Sequence, residues 1–266
     1  MLVTVVVCSV DETKLAQASG SYRERLGGAL AEIVAIRDAR SLAEAYNRGI
    51  DRARGDTIVF THDDVEVLSP DFAERLAAHR EAFDVVGIAG TRRLCGGAWY
   101  LAGQPHDYML VVSPHPDTGA PTLVIEGAGP LVVPGIQALD GVMLAVRAGL
   151  ARELRFDAAT FDHFHLYDLD FTYRAHLAGA QLAVCRDLVL LHASRGSYDA
   201  HWEAQRERFE RKFAGRLAAP PPLKRAPLLN VPLDDAILRD SAELARLCSP
   251  ATLQRFVARL PLAVPA

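Results

Sequence analysis

The sequence predicts an α/β fold: a mainly parallel central sheet flanked by helices, with a helical extension at the carboxyl end. Three observations lead there. Short apolar runs at residues 2–8, 31–37, 57–61 and 84–89 alternate with stretches that carry helix-start signals. Such a β-α-β-α-β-α-β alternation puts helices on both faces of a parallel sheet. The run Thr57-Ile58-Val59-Phe60-Thr61 is uncharged and β-branched, the pattern of a strand buried on both faces. Finally, the 266 residues are 50% hydrophobic and 23% charged, which suits one sizeable α/β domain with a small appendage.

The elements follow in order. The opening MLVTVVVCSV is apolar but has no basic leader or cleavage site, and it fits a first strand better than a signal peptide. Ser9 and Glu12 have capping-box spacing and open a helix that runs to about Gly27-Gly28. Ala31 to Arg37 is the second strand, ending at Asp38. Ser41 and Glu44 form a second capping box; Leu42, Ala45, Tyr46, Gly49, Ile50 and Ala53 then recur as one apolar helical stripe that ends near Gly55.

The third strand, 57–61, runs straight into His62-Asp63-Asp64. In open α/β sheets ligands bind at the carboxyl ends of the strands. Two carboxylates and an imidazole there suit a divalent cation holding a phosphate; the competing reading is a solvated acidic loop. Ser69-Pro70 offers a cap and a first-turn proline for the next helix. Residues 1–90 thus read as a nucleotide-binding half.

From Gly90 to Pro134 the periodicity fades, and loops and a hairpin are expected, with Pro116-Asp117-Thr118-Gly119 as its turn. Arg92, Arg93, Trp99 and Tyr100 are candidates for ligand contacts from this irregular stretch, against simple rim packing. A strand pattern returns at 137–146, broken by Asp140-Gly141, which on its own reads as a bulge or turn. Tyr167 to Arg174 begins a helix with Asp168 and Asp170 in its first turn. Asp168, at the helix start beside a loop rich in His and aromatic residues, could serve chemistry, or both acids could merely complement the helix dipole. Gly179 closes this helix, strands follow at 181–185 and 188–191, and His192 stands at the end of the second. A charged amphipathic helix is expected over 198–214, then a Pro-rich linker over 216–232 and helices over 233–266.

Composition narrows the function classes. A net charge of −4 leaves no basic footprint for nucleic acid, so an anionic phosphate must be gripped locally. Cys8, Cys95, Cys185 and Cys248 form no CxxC pair and read as reduced thiols. No run approaches the roughly 20 apolar residues of a membrane helix. The expectation is a cytoplasmic protein, with peripheral membrane contact left open.

The run AEAYNRGIDRARGDTIVFTHDDVEVLSPDF resembles the nucleotide-sugar-binding half of glycosyltransferase family 2, a GT-A fold, in the branch whose metal motif reads His-x-Asp-Val, here His62 to Val65. The resemblance covers roughly residues 3–200. It implies an inverting transferase that moves a sugar from a nucleotide-diphosphate donor, a UDP-sugar favoured, to a hydroxyl of a glycan, lipid-linked glycan or protein. It implies Mn²⁺ or Mg²⁺ held by Asp64, His192 and His62. His192-Ala193-Ser194-Arg195-Gly196 resembles the His-x-Ser-x-Gly ending of the same branch. Donor contacts fall on Ser9, Asp38, Asn47, Asp63 and Arg195, with Val7 nearby, although Ser9 and Asp38 are equally turn or cap residues. Acceptor contacts fall on Asp140, Gly141, Tyr167 and His165. Asp168 becomes the single candidate base, because Tyr167 stands where the family usually has Glu. The implied division is a catalytic domain over 1–215, with 91–215 its acceptor-binding half; the C-terminal helices are candidates for an oligomer contact. Two other classes compete: a noncatalytic nucleotide-sugar-binding scaffold, and a metal-dependent hydrolase or oxygenase using His163, His165 and Asp168.

Overall fold

The computed structural model describes residues 1–194, 198–221 and 228–257. Its amino-terminal part consists of β1 (Val3–Cys8), α1 (Glu12–Leu26), β2 (Leu30–Ile36), α2 (Leu42–Arg52), β3 (Thr57–Thr61), β4 (Val65–Val67), α3 (Phe72–Ala82), β5 (Val85–Gly87) and β6 (Ala89–Thr91). The hairpin β7 (Asp107–Pro114) and β8 (Pro121–Glu126) follows, then β9 (Val132–Pro134), β10 (Ala138–Leu139), β11 (Met143–Arg147) and α4 (Ala148–Leu154). Next come α5 (Tyr167–Leu177), β12 (Leu182–Cys185), β13 (Leu190–His192) and α6 (Ala200–Lys212). The chain closes with β14 (Leu229–Pro232), α7 (Asp235–Arg239), α8 (Ser241–Leu247) and α9 (Pro250–Val257).

The central sheet has the order β2-β1-β3-β11-β5-β12-β9. The four strands expected from the alternation, β1, β2, β3 and β5, run in one direction, but β11 inserts antiparallel between β3 and β5. β3 is buried at every residue, as its uncharged sequence requires. Helix α2 lies so close to β1 that a Cβ on Gly49 would stand 2.3 Å from Val6 Cγ1, so glycine there is a packing requirement. The α2 stripe is buried as expected and Ser41 caps the helix, accepting from Glu44 N at 3.1 Å; the helix ends at Arg52 rather than near Gly55.

Two helix starts differ from expectation. Asp11, not Ser9, caps α1, accepting from the Thr13 and Lys14 amides. Ser9 instead donates to Asp63 Oδ2 at 2.6 Å. Ser69 does not cap α3 either: its hydroxyl bonds Asp187 O and Val189 N, and α3 begins at Phe72. For Ser69 the cause is β4, which the sequence did not signal: backbone bonding to the β13 side continues past Val67, with Leu68 N and Ser69 N both donating to Val189 O.

A second sheet, β10-β6-β7-β13-β4, carries β8 on β7 and β14 on β8. The expected turn at 116–119 joins β7 to β8, with Gly119 at φ 70°. The last four residues of the Pro-rich stretch form β14, and Leu229, Leu238, Leu244, Leu247 and Leu253 pack against Leu110, Val112, Leu123 and Ile125 of the hairpin. Among the described residues no helix is long and apolar enough to cross a membrane. All four cysteines are free thiols; Cys95, Cys185 and Cys248 are buried.

The chain passes between the two sheets at three neighbouring places. His62–Asp64 links β3 to β4, Ile88 links β5 to β6, and Asp140–Val142 links β10 to β11. His62 N donates to Val142 O at 3.3 Å and Asp140 N to Ala89 O at 3.0 Å, so the three crossings are stitched together. Strand continuity has to break where sheets diverge, and the break releases side chains into a cleft. The acidic turn and the Asp-Gly break both lie on this seam.

Candidate active site

The seam opens into a cavity of about 510 Å³ lined from both halves of the chain, by Ser9, His62, Asp63 and Asp64 of the first and by Asp140, Gly141, His165, Tyr167 and Asp168 of the second. β13 runs antiparallel to β4 with His192 opposite Val65. This register brings His192 Nε2 to 3.3 Å from Asp64 Oδ1 and 3.4 Å from His62 Nδ1. The three side chains can turn one ligand atom each into a group within 4.8 Å. Burial disfavours the Asp64 carboxylate, yet the His192 hydrogen bond and charge, with help from Ser194 and His62, overcome it and hold its carboxyl well below the usual range. Burial, and next the His192 charge, push His62 below an ordinary imidazole. Both shifts favour the ligand-ready forms, carboxylate and neutral imidazole. Two imidazoles and a carboxylate are a donor set that fits a first-row divalent ion.

Leu166 adopts a left-handed conformation (φ 61°) immediately before α5, at a cost of about 1–2 kcal/mol, and Tyr167 and Asp168 line the cavity. Asp168 Oδ2 accepts from Gly141 N at 2.7 Å. Burial, and then the charge of Asp140, push its carboxyl up to about 7. A group poised there holds or releases a proton near neutrality. Asp140 is itself fixed: Oδ2 accepts from Trp99 Nε1 at 2.9 Å and Oδ1 from Val142 N at 3.0 Å. A Cβ on Gly141 would lie 2.4 Å from Tyr167 Oη and 2.8 Å from Asp168 Cβ. Gly141→Ala is therefore expected to destabilise the fold by about 1–3 kcal/mol through overpacking and to displace both side chains. Thermal unfolding beside a titration of Asp168 would check this, with an unshifted Asp168 counting against the close contact.

A family profile described as glycosyltransferase-like matches residues 4–213. The chain belongs to that family. No curated protein sequence matches it significantly. Among solved structures, GalNAc-T7 with UDP, GalNAc and Mn²⁺ aligns over 73% of this chain at 12% identity with a TM-score of 0.50. The chain spans 44% of that protein's length, less than half. Mannosyltransferase PcManGT from Pyrobaculum calidifontis, in complex with GDP-Man and Mn²⁺, aligns over 96% of this chain and 73% of its own, at 16% identity and a TM-score of 0.49. The fold of this family-2-like glycosyltransferase chain is GT-A, a mixed α/β sheet flanked by helices.

Several residues expected at a donor site lie elsewhere in this glycosyltransferase-like chain. Asn47 does not line the cavity: its amide donates to Phe156 O at 2.8 Å and its carbonyl accepts from Phe156 N at 2.9 Å, clasping α2 to the segment before α5. Asp38 is 75% exposed, pairs with Arg48 at 2.7 Å and stays outside the cavity lining. Arg92 and Arg93 spend their guanidiniums on the Pro134 and Ala219 carbonyls. Arg195 lies outside the described residues. The metal grouping of His163, His165 and Asp168 is not assembled: His163 packs on His201 with ring centroids 4.5 Å apart, and His165 faces Asp199 at 3.9 Å. Lys14 and Arg37 line the cavity and were missed. Arg37 follows β2 directly, one residue before Asp38. Phe164, Tyr198 and Trp202 also line it, with nothing in their sequence pattern to set them apart.

Proposed function

We propose that this protein is an inverting, metal-assisted glycosyltransferase that moves a sugar from a nucleotide-diphosphate donor, a UDP-sugar first, to a hydroxyl of a glycan, lipid-linked glycan or protein. The observation that carries this reading is a poised carboxylate, Asp168, on the same cavity as His62 and Asp64, which cluster with His192. His62, Asp64 and His192 would hold the ion, and two imidazoles favour Mn²⁺ over Mg²⁺. When bound, the ion offsets charge developing on the leaving diphosphate.

The chain's own groups do the rest. Asp168 takes the acceptor proton as the new bond forms, its carboxylate aimed by the Gly141 amide. Asp140, anchored by Trp99, offers its carboxylate beside the sugar and raises the basicity of Asp168. Ser9 holds Asp63 at the donor end, and Lys14 supplies local positive charge for phosphate, with Arg37 nearby but paired to Glu12. His165 and Tyr167 lie on the acceptor side. In this reading residues 1–90 bind nucleotide, 91–215 carry acceptor and catalysis, 216–232 connect, and 233–266 form an extension suited to an oligomer contact, in a cytoplasmic protein.

Isothermal titration with UDP, GDP and dTDP, with and without Mn²⁺, tests the reading. Micromolar, Mn²⁺-dependent binding of UDP is expected. In Asp64→Ala that binding should weaken at least tenfold. Equal binding with and without the ion, or no binding of any nucleotide by folded protein, would overturn it. Binding without transfer to any acceptor would favour a scaffold.

A further inference from the structure

Among the described residues the exposed large apolar side chains are Met1, Leu2, Val10, Phe164, Leu177 and Tyr198. Three of these, Val10, Phe164 and Tyr198, line the cavity that Asp168 also lines. Phe164 is 48% and Tyr198 59% exposed, and apolar surface gathered at a polar cleft marks a binding face. From Tyr198 a run of rings leads inward. Its centroid lies 5.1 Å from that of Trp202 and 6.5 Å from that of Tyr100, and Tyr100 lies 5.6 Å from Trp99. Trp99, 8% exposed, ends the run on the Asp140 carboxylate, one residue from the Gly141 amide that holds Asp168. The rings therefore join the solvent to the acids of the site.

Two segments far apart in sequence build this surface. The turn Trp99–Leu101 is preceded by Gly97, where a Cβ would lie 2.5 Å from Arg206 Cγ of α6, and Gly97 N donates to Glu210 Oε1 at 3.4 Å. Asp199 caps α6, accepting from His201 N and Trp202 N at 2.9 Å each, which fixes the turn that carries Trp202. Neighbouring rings meet at 79–86°, edge against face. The aromatic surface is thus set before a ligand arrives, and little ordering is left to oppose binding.

We propose that Tyr100, Tyr198 and Trp202 form a subsite for a second sugar ring, so that the acceptor is a glycan of at least two sugars whose reacting hydroxyl lies at Asp168. A pyranose carries C–H bonds on its faces and hydroxyls around its rim. The C–H bonds suit the electron-rich face of an aromatic ring, and the hydroxyls need polar partners. Such partners line the same cavity: Ser194, and His165, which faces Asp199 at 3.9 Å. A hydrocarbon tail would match the rings but strip water from those polar groups and replace it with nothing. The place of the reacting hydroxyl rests on the function proposed above; the ring subsite does not.

The test is saturation-transfer NMR on the full chain, with and without UDP and Mg²⁺. The probes are methyl glycosides of the common hexoses and N-acetylhexosamines, alone and as linked disaccharides. At least one disaccharide should bind more tightly than either of its single sugars, with transfer to the C–H protons of both rings. Tyr198→Ala should weaken that binding at least about fivefold, and Tyr198→Phe, which keeps the ring, should retain it. Trp202→Leu gives the same discrimination if Tyr198→Ala folds poorly, and thermal unfolding reports the fold of each. No disaccharide bound by the folded wild type, or binding indifferent to both ring substitutions, overturns the subsite. Tyr198-dependent attachment to vesicles of farnesyl phosphate in phosphatidylcholine, without binding of any sugar, overturns it in favour of a lipid tail. Ring-dependent disaccharide binding in a protein that binds no nucleotide supports the subsite and sinks the transferase reading instead.

Discussion

Asp168→Asn is expected to lose sugar transfer by about 10²–10⁴-fold, to bind nucleotide as the wild type does, and to be the more stable protein above neutral pH. The first effect follows from removing the group that accepts the acceptor proton. The second follows because Asp168 is not one of the clustered metal-type ligands, His62, Asp64 and His192. The third is a linkage effect. Burial raises the Asp168 carboxyl from the ordinary 3.8 to about 7, so between those values the folded protein binds more protons than the unfolded chain. Stability contributed by the protonated form is complete below about pH 4 and is lost as pH rises through 7. Asparagine removes that loss, worth on the order of a few kcal/mol. Urea unfolding of both proteins at pH 5 and pH 8 checks it. A stability gap that fails to widen toward pH 8 would show that Asp168 is not held protonated, and undiminished turnover would end its assignment as base.

Asp170→Ala, two residues along the same helical turn, should do the opposite and destabilise the fold by about 3–5 kcal/mol at every pH where the cations persist. Asp170 is fully buried, with Oδ2 on Arg174 Nε at 2.8 Å and Oδ1 on Lys212 Nζ at 2.5 Å. Arg174 also donates to the Leu154 and Arg155 carbonyls, and Lys212 reaches Asp157 at 2.6 Å. One carboxylate thus joins α5, α6 and the segment after α4. Its removal strands two cations against each other in a low-dielectric site. Chemical denaturation measures the loss, and Asp170→Asn should recover only part of it; a change below 1 kcal/mol would mean that Asp157 alone satisfies Lys212.

These two acids show where sequence reading reached its limit. Both stand in the first turn of a predicted helix, and both could serve its dipole. Two residues in a helix are about 200° apart, so one faces the cavity and the other faces α6, and only the packing of α6 says which is paired. The alternation, the α2 stripe, the hairpin turn and the strand-end acidic turn were legible because each is a local pattern. The insertion of β11 between β3 and β5 was not, since pairing partners 80 residues apart leave no local mark. The short β4 was hidden for a similar reason: three residues are too few to show a period, and their partner is β13. Asn47 misled in the other direction, because an amide suited to a nucleotide is equally suited to the backbone of Phe156.

The antiparallel strand β11 also sets a timetable for synthesis. β1, β2 and β3 are all contained in the first 61 residues, yet β3 has an unpaired edge until Met143–Arg147 leaves the ribosome. At roughly 5–20 residues per second that interval is on the order of ten seconds. For that time the nascent chain carries an open, uncharged edge of Thr57–Thr61, the kind of surface that chaperones shield and that neighbouring nascent chains can capture. Slowing translation between codons 61 and 143 should lower the soluble yield of this protein, whereas slowing it after 147 should not.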